Sequence, residues 1–337
     1  MANNRIESVL KKAAVRTAAG LRPGDSGGSP RVQIQRQRGI LPQSSHRRYH
    51  CLVDFDDGAP PVSLFAKKAP PVEYENLLWL QDLNDPRIEA VAPRPFDYLP
   101  EIQYLLMEFV DGVPLMNRLA ADCLGVSRWN GGSAGEVLRR SAAGLAQLHN
   151  AFGSDGEPFY DDRRLEKLAT QLEQTGYFTS SDLARVDRNL LRTREALLQV
   201  PAVSSHGEFG PRNIILRDDQ GISFIDWPHL MQHNLFYDVS LFLHSLLGLS
   251  RVFPWSKRRL KGLTNEFRTA YLVESELATD PELFEASRLV NMIEILLRSH
   301  HRLRSARNRR VRMRATSYIR HQQRNVLAFL VKSDPGV

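Results

Sequence analysis

The sequence predicts an α+β fold in two parts: a small β-rich part over residues 31–110 and a larger helical part over residues 111–337. Three observations predict it. From Val32 the strings VQIQRQRG, RRYHCLVDF and VSLFAKK alternate apolar and polar residues, the period of half-buried strands. From Glu136 the period changes, and Leu138, Ala142, Leu145, Ala146 and Leu148 share one helical face. A short strand–turn–strand then interrupts the helices, with apolar runs at 214–216 and 222–225 around Asp218-Asp219-Gln220-Gly221. A chain of 337 residues is long enough for two cores rather than one.

Residues 1–19 read as a short amphipathic helix, and 20–30 (GLRPGDSGGSP) as a Gly/Ser/Pro linker. Turns are expected at LPQSS and DDGAPP, between the first three strands. The third strand ends in Lys67-Lys68, whose side chains alternation sends to opposite faces. A helix follows over 72–83, with Leu77 and Leu80 in its buried stripe and Glu73 and Glu75 near its start. Segments 91–98 and 103–110 read as two more strands, and 165–175 and 181–198 as further helices. Asp238 is expected to cap the apolar helix that follows it.

Composition narrows the class. At 42% hydrophobic and 25% charged residues the chain is an ordinary globular protein. Cys51 and Cys123 offer neither a disulfide framework nor a zinc pattern, which fits a reducing, cytoplasmic setting. The N-terminus is too charged for a secretory signal, and no apolar run approaches the eighteen or so residues that span a bilayer.

The chemistry concentrates in SHGEFGPRNIIL (205–216) and SFIDW (223–227). His206, Glu208 and Asn213 lie on a loop before one strand of the hairpin, and Asp226 follows the other. Two carboxylates and an amide thus come to one end of a small hairpin. Metal-assisted phosphoryl transfer needs such a set, an acid near the attacking hydroxyl and oxygen ligands for Mg²⁺ on nucleotide phosphates.

HGEFGPRN resembles the catalytic loop of the aminoglycoside phosphotransferase and choline kinase family, and FIDW resembles that family's metal-binding segment. The resemblance runs from about residue 35 to 250. It implies a protein-kinase-like fold with a β-rich N-lobe and a helical C-lobe, and ATP-dependent phosphorylation of a small-molecule hydroxyl. By motif position Asn213 and Asp226 would hold Mg²⁺, and Glu208 would stand at the catalytic-base position. Lys67 matches the strand lysine that orients the phosphates, with Lys68 as the alternative. Glu73 matches its helix partner, with Glu75 as the alternative. MEFVDGVPL resembles the hinge, where backbone groups from Glu108 to Val110 would meet the adenine edge. The turn over the phosphates lacks a glycine-rich string, so Ser44, Ser45 and backbone N–H groups would supply contacts there. His149 and His206 are read as structural.

The chain departs from the family pattern at one point, since the base position is Asp there and Glu208 here. The extra methylene moves the carboxylate by about 1.5 Å, and misplacement of about 1 Å can cost a hundredfold in rate. The transition state is largely dissociative, so the base mainly orients the hydroxyl, and a local backbone adjustment is expected to restore function. The alternative is an impaired kinase-like protein that binds nucleotide and acts as an interaction module.

From Arg288 to Arg324 there are eleven arginines and one acid, Glu294, so the excess positive charge of a +7 chain sits in this tail. Met313, Tyr318 and Ile319 suggest that it packs on one side. The resemblance implies that the C-terminal helices line the acceptor side of the cleft, and arginine suits phosphate or carboxylate, so the expected acceptor is anionic, a sugar or glycolipid, and a polycation would be repelled. An anionic membrane surface, a nucleic acid bound without sequence preference, or plain solvent are the rival partners of the tail. No nucleic-acid motif supports the second. The membrane reading would place the enzyme at the inner membrane surface.

Overall fold

The computed structural model describes residues 2–21, 30–37, 48–126, 132–154, 156–278, 280–306 and 309–333. The chain runs through α1 (Ala2–Gly20), β1 (Arg31–Gln37), β2 (Arg48–Asp54), β3 (Val62–Lys68), α2 (Pro71–Asp82) and α3 (Pro86–Glu89). Next come β4 (Pro95–Leu99), β5 (Tyr104–Glu108), β6 (Val113–Pro114), α4 (Leu115–Cys123), α5 (Ala134–Phe152), α6 (Asp162–Gln174) and α7 (Ser180–Leu197). Then follow β7 (Ala202–Ser205), β8 (Ile214–Leu216), β9 (Ile222–Phe224), β10 (Met231–Asn234) and α8 (Tyr237–Val252). A single 3-10 turn, Pro254–Ser256, leads to α9 (Lys257–Glu274), α10 (Pro281–Ser305) and α11 (Arg309–Ser333). Two compact units result, Met1–Ala134 with Pro211–Leu230, and Gly135–Gly210 with Met231–Val337.

In the first unit β1 to β5 form an antiparallel sheet in the order β1-β2-β3-β5-β4. Alternation along β2 buries Tyr49, Cys51 and Val53, and α1 covers that face with Leu10, Ala13, Ala14 and Ala18. The N-terminal helix is therefore part of this core. The strand expected over 91–98 starts later, at Pro95, because Asp85-Pro86 begins the one-turn helix α3 and the Asp85 carboxylate accepts the Arg87 N–H at 2.8 Å. A second sheet, β6-β8-β9, holds the hairpin. Its turn closes with the Arg217 N–H on the Gly221 carbonyl at 3.0 Å.

In the second unit α6, α7, α10 and α11 share a core of Leu165, Leu172, Leu190, Leu289, Ile293 and Val326, among others. Along α10 the buried Leu289, Val290, Ile293 and Leu296 recur at spacings of three and four, the helical stripe. The basic tail does pack on one side, but the stripe of α11 runs through Ile319, Val326 and Leu330, and Met313 is 65% exposed. Among the described residues no helix is long and apolar enough to cross a membrane.

Candidate active site

In the first unit the site grows from β3 and α2. Ala66 faces the core under α1, so Lys67 points the other way, where it too is buried. Glu73 lies four residues before Leu77 and seven before Leu80, which places it on the inward stripe of α2. Lys67 Nζ reaches Glu73 Oε1 at 2.6 Å and also pairs with Asp226 Oδ1. Lys68 and Glu75 are exposed. Burial alone would pull the Lys67 ammonium down, but the carboxylates of Asp226 and Glu73 outweigh it and hold its pKa above the ordinary lysine value.

The same helix pins the segment that carries Asp226. Glu73 Oε1 accepts the Trp227 N–H at 3.1 Å, and Asn76 Nδ2 donates to the Trp227 carbonyl at 2.7 Å. The Trp227 ring is fully buried, and its indole N–H donates to the Phe224 carbonyl at 2.8 Å. Asp226 has φ +66°, a left-handed conformation that Asp tolerates better than most residues. Asn213 flanks it across the hairpin, since Ile214 pairs with Phe224 and the Ile225 N–H donates to the Asn213 carbonyl at 2.9 Å. One carboxylate and one amide are hard oxygen donors, the type and number that Mg²⁺ takes from protein when phosphates and water complete its shell.

At the hinge, the Glu108 N–H donates to the Arg94 carbonyl at 2.8 Å, and its carboxylate accepts the Arg94 N–H at 3.2 Å. That N–H is committed within the protein and is not offered to a base edge. Val110 lies beyond β5, half-buried. Ser44 and Ser45 fall outside the described residues.

In the second unit the loop after β7 is held by a buried carboxylate. Asp238 accepts the N–H groups of His206 at 2.7 Å and Gly207 at 3.0 Å, and faces His149 Nε2 at 3.4 Å. Burial would raise its pKa, yet His149 and the His206 N–H hold it below the ordinary carboxylate value. The expected cap is not made, because α8 begins at Tyr237 without a side-chain cap and the Asp238 carboxylate is spent on the loop. His149 Nδ1 meets the Tyr271 hydroxyl at 2.8 Å, which completes a structural role for that histidine. His206 is fully buried, with Nδ1 accepting the Glu208 N–H at 3.4 Å.

Glu208 is bound by the basic tail. Its Oε1 accepts from Arg298 Nη2 at 3.0 Å and from Arg302 Nη2. Arg298 Nη1 also donates to the Gly207 carbonyl and to the Tyr237 hydroxyl, the latter at 3.2 Å. The two arginines are four residues apart on α10 and so share a face. Glu294, one turn earlier, accepts from the Tyr160 hydroxyl at 3.2 Å and lies 3.5 Å from His233 Nε2. Burial pushes its carboxyl up to about 8, and burial lowers His233, stacked on Tyr237, to about 3.

Residues 44–280 match the model of the APH family, the phosphotransferase enzyme family. The chain belongs to that family. No curated protein matches it in sequence. Among solved structures it is similar to an ethanolamine kinase of Plasmodium vivax, at 14% identity and TM-score 0.55, over 88% of this chain and 83% of that one. It is also similar to a choline kinase of Streptococcus pneumoniae, at 14% identity and TM-score 0.54, over 97% and 99% of the two chains. An aminoglycoside phosphotransferase solved with ADP and hygromycin B matches at 15% identity and TM-score 0.52, over 90% and 95%. At these identities the likeness shows the fold, which is protein-kinase-like, with a β-sheet N-terminal region and a helical C-terminal part. As a member of this family the chain is a phosphotransferase.

For this phosphotransferase the structure brings Lys67, Glu73 and Asp226 together in the first unit, with Asn213 beside Asp226 along the backbone, and places Glu208 in the second. Sequence reasoning missed Asn76, Arg298 and Arg302. Asn76 stands three residues after Glu73 and so on the same face, and Arg298 and Arg302 show the same-face spacing within the basic run.

Proposed function

We propose that this phosphotransferase uses ATP with Mg²⁺ and passes the γ-phosphoryl group to a hydroxyl of an anionic small molecule, a sugar or glycolipid carrying phosphate or carboxylate. The observation that carries this reading is the engagement of Glu208 by Arg298 and Arg302. A carboxylate that must take a proton is here engaged by two guanidinium groups, one positive charge more than it balances, and guanidinium suits the planar oxygens of phosphate or carboxylate. An anionic acceptor competes for Arg302, the more exposed of the two. Glu208 is then released to orient the acceptor hydroxyl and accept its proton late in the transfer. A polycationic acceptor finds two arginines where it needs acids.

In this reading Lys67, fixed by Glu73, orients the donor phosphates. Asn213 and Asp226 hold the metal, which when bound neutralises charge on those phosphates. Asn213 follows Glu208 by five positions in the chain.

The test is ATP consumption against a panel of anionic, neutral and cationic hydroxyl compounds, with Glu208→Gln and Glu208→Asp alongside. Turnover with anionic acceptors that is lost in Glu208→Gln is the expected result. Turnover confined to cationic acceptors overturns the acceptor class. No turnover in the wild type, with a gain in Glu208→Asp, overturns the enzymatic reading in favour of an impaired, nucleotide-binding relative.

A further inference from the structure

We infer that the second unit carries a docking site for an anionic lipid bilayer, built from the end of α8, the 3-10 turn and the outer face of α11. A groove of about 830 Å³ opens here, and Arg251, Arg312, Met313, Arg320, His321 and Arg324 line it. No carboxylate is among its lining residues. Arg251 is oriented by the Ser317 hydroxyl at 3.2 Å. Arg312, Arg320 and Arg324 are exposed and have no acidic partner among the described residues. Four guanidinium groups on one concave surface without a counter-charge complement a surface of phosphates.

A second observation selects the bilayer from among anionic partners. Val252 is 64% exposed and Trp255 69%, and both follow Arg251 within one turn of chain. Met313, on the groove wall, is exposed as well. Lys257, Arg258 and Arg259, at the start of α9, are also exposed. Aliphatic and thioether side chains gain nothing from a nucleic-acid backbone. At the boundary of headgroups and acyl chains they bury apolar surface, and tryptophan is the side chain most at home there. Basic and apolar signals together give the two-part attachment that stable peripheral binding needs. This inference does not depend on the acceptor reading, because that reading rests on Arg298 and Arg302, which are not part of this surface.

The experiment is co-sedimentation of the full-length protein with vesicles of phosphatidylcholine alone and of phosphatidylcholine with phosphatidylglycerol, at low and high salt. Wild type is expected to bind the anionic vesicles only, and less at high salt. Arg320→Gln with Arg324→Gln should weaken partitioning about 25-fold, at about fivefold per arginine. Trp255→Ala should weaken it several-fold while leaving ATP turnover unchanged. Absence of binding, equal binding to both vesicle types, or binding unchanged in both variants overturns the inference. Tighter binding to a single-stranded RNA oligonucleotide, insensitive to Trp255→Ala, overturns it in favour of a nucleic-acid surface.

Discussion

Lys67 and Glu73 close a buried ion pair, 2.6 Å from Nζ to Oε1, that joins β3 to α2 and, through Asp226, to the hairpin. Removing one partner of such a group leaves buried charge without compensation, a loss of about 3–5 kcal/mol. Lys67→Met should fall near the low end, since the Asp226 side chain is partly exposed. Lys68→Met, on the exposed face, should stay within about 0.5 kcal/mol of wild type. Denaturant melts of the two variants check this. Equal stability would show that the triad does not anchor the first unit.

Arg298 and Arg302 bind the same carboxylate oxygen but are not equivalent. Arg302 is the more exposed, and among the described residues its ion pair is with Glu208, so Arg302→Gln should leave stability within about 0.5 kcal/mol. Its effect should fall on KM for an anionic acceptor, raised about tenfold, the loss of roughly one charge-assisted hydrogen bond. Arg298 also holds the Gly207 carbonyl and the Tyr237 hydroxyl, so Arg298→Gln should cost about 1–3 kcal/mol as well. Steady-state kinetics beside thermal melts separate the two effects. A KM unchanged in Arg302→Gln would remove this residue from acceptor binding.

The hairpin and the placing of Asn213 and Asp226 at its end were legible because they rest on local pattern, alternation and a turn string, whereas Lys67 and Glu73 were picked out by the family resemblance, with Lys68 and Glu75 left open. Residues that matter through distant partners were not legible in that way. Nothing near Arg298 says that it meets a loop ninety residues earlier, and the basic run looked uniform although two of its arginines serve Glu208. Asp238 looked like a helix cap because it stands where an apolar helix begins. Only the fold reveals that its oxygens go to His206 and Gly207 instead. The shift of β4 to Pro95 was readable in Asp85-Pro86, a start signal that outweighs the apolar residues after it.

Glu294 should give stability a basic-side slope. Its folded pKa of about 8 lies above the ordinary carboxyl value of 4.5, so the folded chain holds a proton that the unfolded chain has lost. Stability from this group is complete below about 4.5 and falls as pH rises through about 8. Buried His233 and His244, both lowered, act in the opposite sense, but only as pH falls below their ordinary value of 6.5. Between about pH 7 and 8.5, therefore, the wild-type urea midpoint should decline and that of Glu294→Gln should be flatter. Parallel curves would show that Glu294 does not retain its proton in the fold.

Gly112 brings the hinge tightly against the hairpin. Its φ is +143°, and a Cβ there would lie 2.2 Å from the Leu216 carbonyl oxygen and 2.8 Å from its carbon. Those are backbone atoms of a paired strand, Val113 to Leu216, and cannot rotate aside. Gly112→Ala must strain its own backbone and push β8 away, at a cost of about 2 kcal/mol or more. Gly58 offers the control, with φ +77° and nothing within 4 Å of a Cβ, so Gly58→Ala carries the conformational penalty alone, about 1 kcal/mol. Because β8 leads directly from Asn213, Gly112→Ala should also reduce Mg-ATP-induced thermal stabilisation, which Gly58→Ala should leave intact. If the two variants melt alike and respond alike to Mg-ATP, the close approach of Gly112 to Leu216 does not position the hairpin.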